Sequence, residues 1–282
     1  MSMVILRRSL SYCLLFVILK ALFATAAYGQ GVDMFDETRL YAESKQVNQF
    51  FRRFNGEEDE RGNRFYSGDK QFRNARLRKK YLGILFDENN AGITTSLKSE
   101  FSKHVTENPE STILDFHSAN WFSEVQATFT YNGKDESVTL FMELEKDHLG
   151  YKWAINKVQA YLFEPTFVRD TTRVGRFLHP MSHELDFMNF RKAFANTDSV
   201  AQFATKRFQP DHLTLFLYEL KKGTLKFKSV EQAKFHFFQI KGWYFQISEF
   251  NRPGYNTGWL ISNLVKLNNQ DDRDLLLRHI YK

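Results

Sequence analysis

The strongest constraint on the fold is a run of alternating apolar and polar residues on both sides of an Asn-Gly pair. Apolar residues alternate from Val125 to Tyr131 and again from Val138 to Leu144, with "NGKD" between them. A period of two is typical of a strand with one buried face, and Asn-Gly favours a tight hairpin turn. A third alternating segment runs from Tyr151 to Phe163. The sequence therefore predicts an antiparallel meander of three strands.

Helical spacing precedes this meander. The first predicted helix carries an aromatic stripe with spacing i, i+3, i+4, i+7, formed by Val47, Phe50, Phe51 and Phe54. A charged segment without periodicity, residues 55–74, predicts a loop. Two further helices are predicted from the apolar spacings between 77 and 85 and between 97 and 105.

The same order of elements returns in the second half of the chain. Helical spacing resumes after residue 180, and Asp211 is a candidate N-cap for a helix that ends at "KKG". Strand patterns follow at Leu225–Phe227, Phe235–Phe237, Trp243–Ile247 and Trp259–Ile261. The sequence therefore predicts helices followed by an antiparallel sheet twice over.

A constant offset relates the two halves. Serine, glutamine, alanine and phenylalanine of "SEVQATF" match "SVEQAKF" at an offset of 106, and Trp153 and Ile155 match Trp259 and Ile261 at the same offset. Two separated sets of identities favour duplication of one unit. Two sheets of similar aromatic content that match by chance are the alternative.

These patterns predict an α+β protein with two helix-covered, curved antiparallel sheets in tandem. The predicted boundaries are 1–29 for a signal peptide, 31–165 for the first domain, 166–180 for a linker and 181–282 for the second domain. With 282 residues and 43% hydrophobic content, the chain is long enough for two cores.

Helices followed by a curved antiparallel sheet with a Trp-bearing last strand resemble the nuclear transport factor 2-like fold, a cystatin-like α+β cone. The resemblance covers the helix of Phe50 and Phe51, the strands from Val125 to Phe163 and their second-half counterparts. It implies helices closing over a bent sheet. The superfamily includes isomerases, dehydratases, binding modules and transport adaptors, so the resemblance leaves the function open. A secreted tandem form without a catalytic role is the expectation.

The N-terminus predicts export. Arg7 and Arg8 precede an apolar run that Lys20 interrupts and that ends in small residues, which is typical of a secretory signal peptide. Cleavage is expected after Ala26 or after Gly29, and an uncleaved anchor helix is the alternative. The predicted location is periplasmic or secreted, with no transmembrane segment after cleavage.

Removing this segment changes what the composition implies. The formal net charge falls from +6 to +3, because three basic residues and no acidic residue are lost. Such a small excess does not favour nucleic acid as a partner. Cys13, the single cysteine, also leaves, so the mature chain has no disulfide, thiolate metal site or cysteine nucleophile. No cofactor is predicted, since phosphate-binding and dinucleotide-binding motifs are missing from the sequence.

The string "HPMSHELD" contains His179 and His183 four residues apart, a spacing that suits zinc on one helix. Pro180 and Ser182 place the helix start near Ser182, which leaves His179 outside the helix. No metal site is therefore predicted. His183 with Glu184 remains a candidate for acid/base chemistry.

A second candidate pair lies in "LDFHSANW". Asp115 and His117 would share one side of a strand, where a carboxylate can orient an imidazole for general base catalysis. The same alternation would bury Leu114 and Phe116 and leave the pair in solvent. A solvated turn is the alternative interpretation of these residues.

Aromatic residues are the candidate ligand-binding groups. Tyr151, Trp153, Tyr255 and Trp259 could line a cavity at the open end of each cone, although aromatic residues at strand spacing mostly fill sheets. The densest basic run comprises Arg73, Arg76, Arg78, Lys79 and Lys80. It could contact an anionic envelope component, or it could be the solvent-exposed face of a helix.

The sequence therefore predicts an exported, non-catalytic binding or envelope-accessory protein whose ligand or protein partner is unknown. The alternative is a cofactor-free isomerase or dehydratase of the same fold that uses a His/carboxylate pair in a cone cavity.

Overall fold

Six antiparallel strands form one sheet in the order β3-β2-β1-β4-β5-β6. The structure is a computed structural model that describes residues 46–59, 61–107, 112–148, 150–167, 203–205, 207–208, 210–253 and 256–282. The strands are β1 (Trp121–Tyr131), β2 (Lys134–Asp147), β3 (Gly150–Ala160), β4 (Leu225–Phe237), β5 (Trp243–Phe250) and β6 (Gly258–Lys266). The helices are α1 (Val47–Asn55), α2 (Ala75–Ile84), α3 (Thr95–Glu107), α4 (His212–Lys222) and α5 (Gln270–Ile280), with a 3-10 helix at Tyr161–Phe167.

Local signals in the sequence set most of these boundaries. The side chain of Asn74 accepts hydrogen bonds from the backbone at the start of α2, and the Asp211 side chain does the same for α4. Gly56 ends α1 with a φ of 73°, in the left-handed region that glycine tolerates best. Asn132 and Gly133 have φ values of 50° and 79°, as a type I′ hairpin turn requires. The α+β class and the predicted hairpin are therefore confirmed.

The structure has one sheet where the sequence predicts two. Strands β1–β3 and β4–β6 are two meanders, and their first strands pair with each other from Trp121↔Phe237 to Tyr131↔Leu225. The prediction of two separate sheets placed each first strand at an edge, with its backbone N–H and C=O groups unpaired on one side. Pairing β1 with β4 satisfies both rows of backbone groups at once.

The sheet has one apolar face, which we call the inner face, that carries Trp121, Phe129, Phe237 and Phe245. Helices α1 to α3 precede the first meander in the chain but pack mainly over the second meander. Phe54 of α1 stacks on Phe245 of β5, with ring centroids 5.7 Å apart. The backbone N–H of Ile261 in β6 donates to the carbonyl of Leu85, just after α2.

The helix that precedes the second meander packs over the first. Phe216 of α4 contacts Phe129 of β1 edge-on at 5.2 Å. Its cluster also contains Val138 of β2 and Val158 and Ala160 of β3. Each meander is thus covered by helices that belong to the other half of the chain.

Residues Gln46–Lys282 belong to one compact unit. The boundaries at 31–165, 166–180 and 181–282 stay predictions, because most of the segment around the proposed linker lies outside the described residues.

The opposite face of the sheet, the outer face, is mostly polar and is covered at one end by α5. Leu276, Leu277 and Ile280 of this helix pack against Phe122 and Tyr244. Our sequence interpretation did not include α5, although its signals are present. Asn269 accepts a hydrogen bond from the backbone of Asp272, and basic residues occupy the last turn.

Candidate ligand-binding groove

Two exposed aromatic side chains lie next to each other on β3, which is an edge strand of the sheet. Tyr151 is 45% exposed and Trp153 is 38% exposed. Both project from the inner face, because Trp153 pairs with Leu144 of β2, whose side chain packs against the helix-covered core. Ordinary core residues on this face are buried, so these two side chains form an accessible aromatic surface at its margin.

The surface continues into the core through a row of rings. Trp153 meets Trp121 edge-on at 5.3 Å and approaches Phe235 at 6.0 Å. Phe235 in turn contacts Trp259 of β6 at 5.0 Å. Trp259 is only 8% exposed and is therefore a core residue at the inner end of the row. Of the predicted aromatic candidates, Tyr151 and Trp153 are accessible.

His117 extends the accessible surface from the turn that precedes β1. Its ring lies over Tyr151, with centroids 4.4 Å apart and a 34° angle between planes. The turn is held by buried Asn55 of α1, whose side-chain amide donates to the carbonyl of Leu114 and accepts from its N–H. Gln239 holds the backbone N–H and carbonyl of Asp115 in the same way. His117 is thus presented from a fixed backbone.

An open pocket of about 750 Å³ lies between α1 and this turn. Its lining combines Phe51 and Phe116 with the polar residues Asn48, Arg52, Asp115 and His117. We call the pocket together with Tyr151 and Trp153 the aromatic groove. The lining of the pocket is thus about as polar as it is apolar, and small-molecule sites likewise combine apolar surface with placed polar groups.

The charges beside the pocket are balanced. The Nε of Arg52 lies 2.7 Å from Oε2 of buried Glu58, and Nη2 of Arg73 lies 2.7 Å from Oε1 of Glu57. Each guanidinium therefore already has a carboxylate partner. The pocket does not present an uncompensated cationic centre of the kind that anion recognition uses.

Asp115 and His117, the candidate acid/base pair, make other contacts in the structure. They lie in a turn before β1 rather than on a strand, and Oδ1 of Asp115 accepts from the backbone N–H of His117 at 2.9 Å. The imidazole contacts the rings of Phe116 and Tyr151 instead. A short polar side chain that bonds the backbone two residues ahead stabilises a turn, which explains the difference. The alternative interpretation, a solvated turn, describes these residues.

Three other candidates, His183, Glu184 and Tyr255, lie outside the described residues. Within the part of the chain that the structure describes, no group of three His, Cys, Asp or Glu side chains is arranged to hold a metal ion.

The basic run divides into buried and exposed members. Arg73, Arg76, Lys79 and Lys80 are exposed, but Arg78 is fully buried, so its predicted place on a basic surface is wrong. Its guanidinium donates to the backbone carbonyls of Phe54, Val105 and Thr112. Carbonyls near the ends of α1 and α3 lack helical partners, and Arg78 supplies donors for them. Burial lowers the pKa of Arg78 to about 10, which keeps it charged at neutral pH.

A network of hydrogen-bonded side chains lies on the outer face, and the sequence pattern did not reveal it. Nε2 of His236 lies 2.9 Å from Oε2 of Glu124, and its Nδ1 lies 2.9 Å from the hydroxyl of Tyr244. Lys234 approaches the other oxygen of Glu124 at 3.2 Å. Phe122 stacks on the imidazole at 4.8 Å and closes the site from above.

This network of side chains shifts the pKa values of Glu124 and Tyr244. Burial acts to raise the pKa of Glu124, but the hydrogen bond from His236 and the charge of Lys234 outweigh burial and hold the pKa below its ordinary value. Burial, with a smaller contribution from the charge of Glu124, raises the pKa of Tyr244. His236 and Tyr244 are 2% and 1% exposed, so a ligand has no access to them. Their role in the fold is to satisfy polar groups under α5.

Comparisons with known proteins returned no match: neither a family model, nor a curated protein, nor a solved structure resembles the chain significantly. Among the described residues, none of the helices has the length and apolar character needed to span a membrane.

Proposed function

We propose that this chain is an exported binding protein whose ligand occupies the aromatic groove. The observation that carries the proposal is the exposure of Tyr151 and Trp153 next to each other at the margin of the helix-covered core, where His117 and the open pocket adjoin them. Exposed large aromatics cost solubility without contributing fully to the core, and clusters of them beside a concavity typically mark interaction sites. An envelope-accessory role is one form that such binding would take.

Rigidity of the surroundings supports this assignment. Trp153 is braced by Trp121, whose indole N–H donates to the carbonyl of Phe116 at 3.2 Å. His117 is braced by the turn that Asn55 and Gln239 hold. A site whose side chains are already positioned binds without a large ordering cost.

The contacts of Asp115 and His117, the candidate acid/base pair, favour binding over the isomerase alternative. A general base needs a geometry that orients it toward a substrate proton. Asp115 instead bonds a backbone N–H, and His117 packs on Tyr151. The pair is therefore better placed to contact a ligand than to exchange protons with it.

Export and the nuclear transport factor 2-like resemblance are parts of the same proposal. Export is supported by the basic and apolar character of the first 29 residues, and the resemblance by the order of helices and antiparallel strands. The mass and N-terminal sequence of the protein recovered from the producing cell test export. A mature chain that begins at Gln30 or after Ala26 is expected, and a retained Met1 in a cytosolic fraction contradicts it.

Ligand-dependent stabilisation tests the groove. The mature chain is heated with defined panels of neutral sugars, amino acids, nucleosides, aromatic acids and quaternary ammonium compounds at millimolar concentration. A ligand that binds only the folded state raises Tm by mass action. We expect at least one class to raise Tm of the wild type but not of Trp153→Ala.

Tyr218→Ala is the matched control, because Tyr218 is 58% exposed on α4 and lies outside the groove. It should respond as the wild type does. Stabilisation that survives in Trp153→Ala and in Tyr151→Ala, or a complete lack of stabilisation, contradicts the proposal.

A further inference from the structure

We propose that the aromatic groove binds a neutral carbohydrate chain, an inference that rests on the proposed function and specifies its ligand class. Three properties of the groove together match a sugar. It has exposed aromatic rings, it has hydrogen-bond donors and acceptors near these rings that are available to a ligand, and its cations are paired with carboxylates. Each of these follows from contacts of the described residues.

The rings supply the first match. A pyranose has a face of C–H groups that packs on an aromatic ring through burial of apolar area and dispersion. Tyr151 and Trp153 lie two residues apart on β3 and project to the same face, which separates their Cα atoms by roughly 7 Å. That separation is of the order of one sugar unit, so the two rings fit consecutive units of a chain better than a single sugar.

The polar rim supplies the second match. Tyr151 and Trp153 make ring contacts, but within the described residues their hydroxyl and indole N–H have no hydrogen-bond partner. Asp115 uses Oδ1 for the backbone of His117, which leaves Oδ2 available as an acceptor. Sugar hydroxyls both donate and accept, and this set combines donors with an acceptor.

The ion pairs supply the third match. Arg52 and Arg73 are the cations of the pocket, and each lies 2.7 Å from a carboxylate oxygen. An anionic ligand at either guanidinium would compete with the carboxylate that already holds it, and the loss of such a pair costs free energy. An acyl chain would bury the polar lining of the open pocket without hydrogen bonds. A neutral polyhydroxylated ligand avoids both costs.

Affinity electrophoresis of the mature chain tests the inference. The gels contain one neutral polysaccharide each, namely a mixed-linkage β-glucan, a starch-type α-glucan, a xylan or a galactomannan, with polygalacturonate and dextran sulfate as anionic comparators. We expect at least one neutral polymer to retard the wild type and Tyr218→Ala. The dissociation constant of Trp153→Ala should be at least tenfold higher, and Trp153→Phe should retain part of the affinity.

Titration calorimetry with the hexasaccharide of the retarding polymer then separates a free oligosaccharide from a polymer as ligand. Binding of the hexasaccharide supports recognition of a short stretch of chain, and binding of the polymer alone supports a site that needs a longer one. Either result supports the carbohydrate class. Tyr151→Ala provides a second test if Trp153→Ala does not fold, because Tyr151 is the more exposed of the two.

The inference is overturned if no neutral polymer retards the wild type, or if retardation is equal in the wild type, Trp153→Ala and Tyr151→Ala. Failure of the inference alone is recognisable. In that case an amino acid, an aromatic acid or a quaternary ammonium compound stabilises the wild type in a Trp153-dependent way, and sugars do not. If no compound acts through Trp153 or Tyr151, the proposed function fails as well.

Discussion

Gln126 of β1 and Gln232 of β4 lie directly opposite each other in the central ladder of the sheet, and they are 106 residues apart. This separation is the offset that relates the two halves of the sequence. In an antiparallel pair, equivalent residues face each other only at a two-fold axis. Exact symmetry would match the pair Ser123–Phe235 with a pair Phe129–Ser229, but Phe129 lies opposite Phe227 instead.

The outer strands obey the same relation. Trp153 and Trp259 occupy the third strands of the two meanders, at opposite ends of the sheet. Two bulges in the β1–β4 ladder shift the register beyond Gln126, so the symmetry is approximate. An internal duplication whose two sheets fused through their first strands is the hypothesis that this arrangement supports.

The exchange of helices between the meanders predicts how fragments behave. Fragments 31–165 and 181–282 should each lack a cooperative unfolding transition, because Phe54 loses Phe245 and Phe129 loses Phe216. An equimolar mixture should recover the transition. Circular dichroism during urea titration measures both. Cooperative unfolding of each fragment alone would instead establish the two-domain boundaries predicted from the sequence.

Among the basic residues between 73 and 80, Arg78 should contribute most to the free energy of unfolding. Arg78→Met keeps much of the side-chain volume but leaves the carbonyls of Phe54 and Thr112 without their donor. We expect a loss of about 3 kcal/mol in the free energy of unfolding. Urea unfolding provides the measurement. Arg76→Met on the exposed side of the same helix should change it by less than about 0.5 kcal/mol, and equal effects would refute the structural role.

Glu124 should make the stability depend on pH in the acid range. Its folded-state pKa lies below its unfolded-state pKa, so its ionised form stabilises the fold above the unfolded-state value. That contribution is lost as pH falls through the folded-state value. Glu124→Gln should therefore be less stable than the wild type at pH 7, with a difference that shrinks on acidification.

Chemical unfolding at several pH values from neutral to acid measures this difference. Glu249→Gln, a change at an exposed carboxylate on β5, is the control and should leave the pH profile close to that of the wild type. A Glu124→Gln profile parallel to that of the wild type throughout the range would exclude the proposed linkage.

The lysines on the outer edge of β4 should prevent this edge from pairing with another copy of the protein. β5 pairs with β4 only from Lys234 to Phe237, and no other described strand pairs with the remaining outer edge of β4. Phe227 and Val230 on that part are 61% and 56% exposed. Charged residues and bulges are the usual protection of such edges.

Replacing two of those charges tests the protection. Lys226→Val with Lys228→Val should increase self-association, measured by light scattering over a concentration series. Lys79→Ala with Lys103→Ala removes the same charge from helices and should leave the protein monodisperse to higher concentration. Identical scattering from the two double variants would show that net charge alone controls association.

Local features of the sequence determined the elements themselves. The periodicities around Phe50 and Val125, the Asn132–Gly133 turn and the Asp211 cap each specify conformation within a few residues, and the structure confirms them. These signals are readable because they depend on backbone geometry and on near neighbours. The offset of 106 was readable for the same reason, since identity needs no knowledge of contacts.

Only the tertiary structure decided which distant residues meet. It joined β1 to β4, buried Arg78 among backbone carbonyls, placed His117 on Tyr151 and set His236 between Glu124 and Tyr244. Each of these contacts depends on packing between segments whose separation along the chain leaves no local pattern. These contacts form because pairing the sheet edges and covering the inner face stabilise the folded state. That stabilisation arises only when the whole chain is folded, so no local segment of the sequence encodes it.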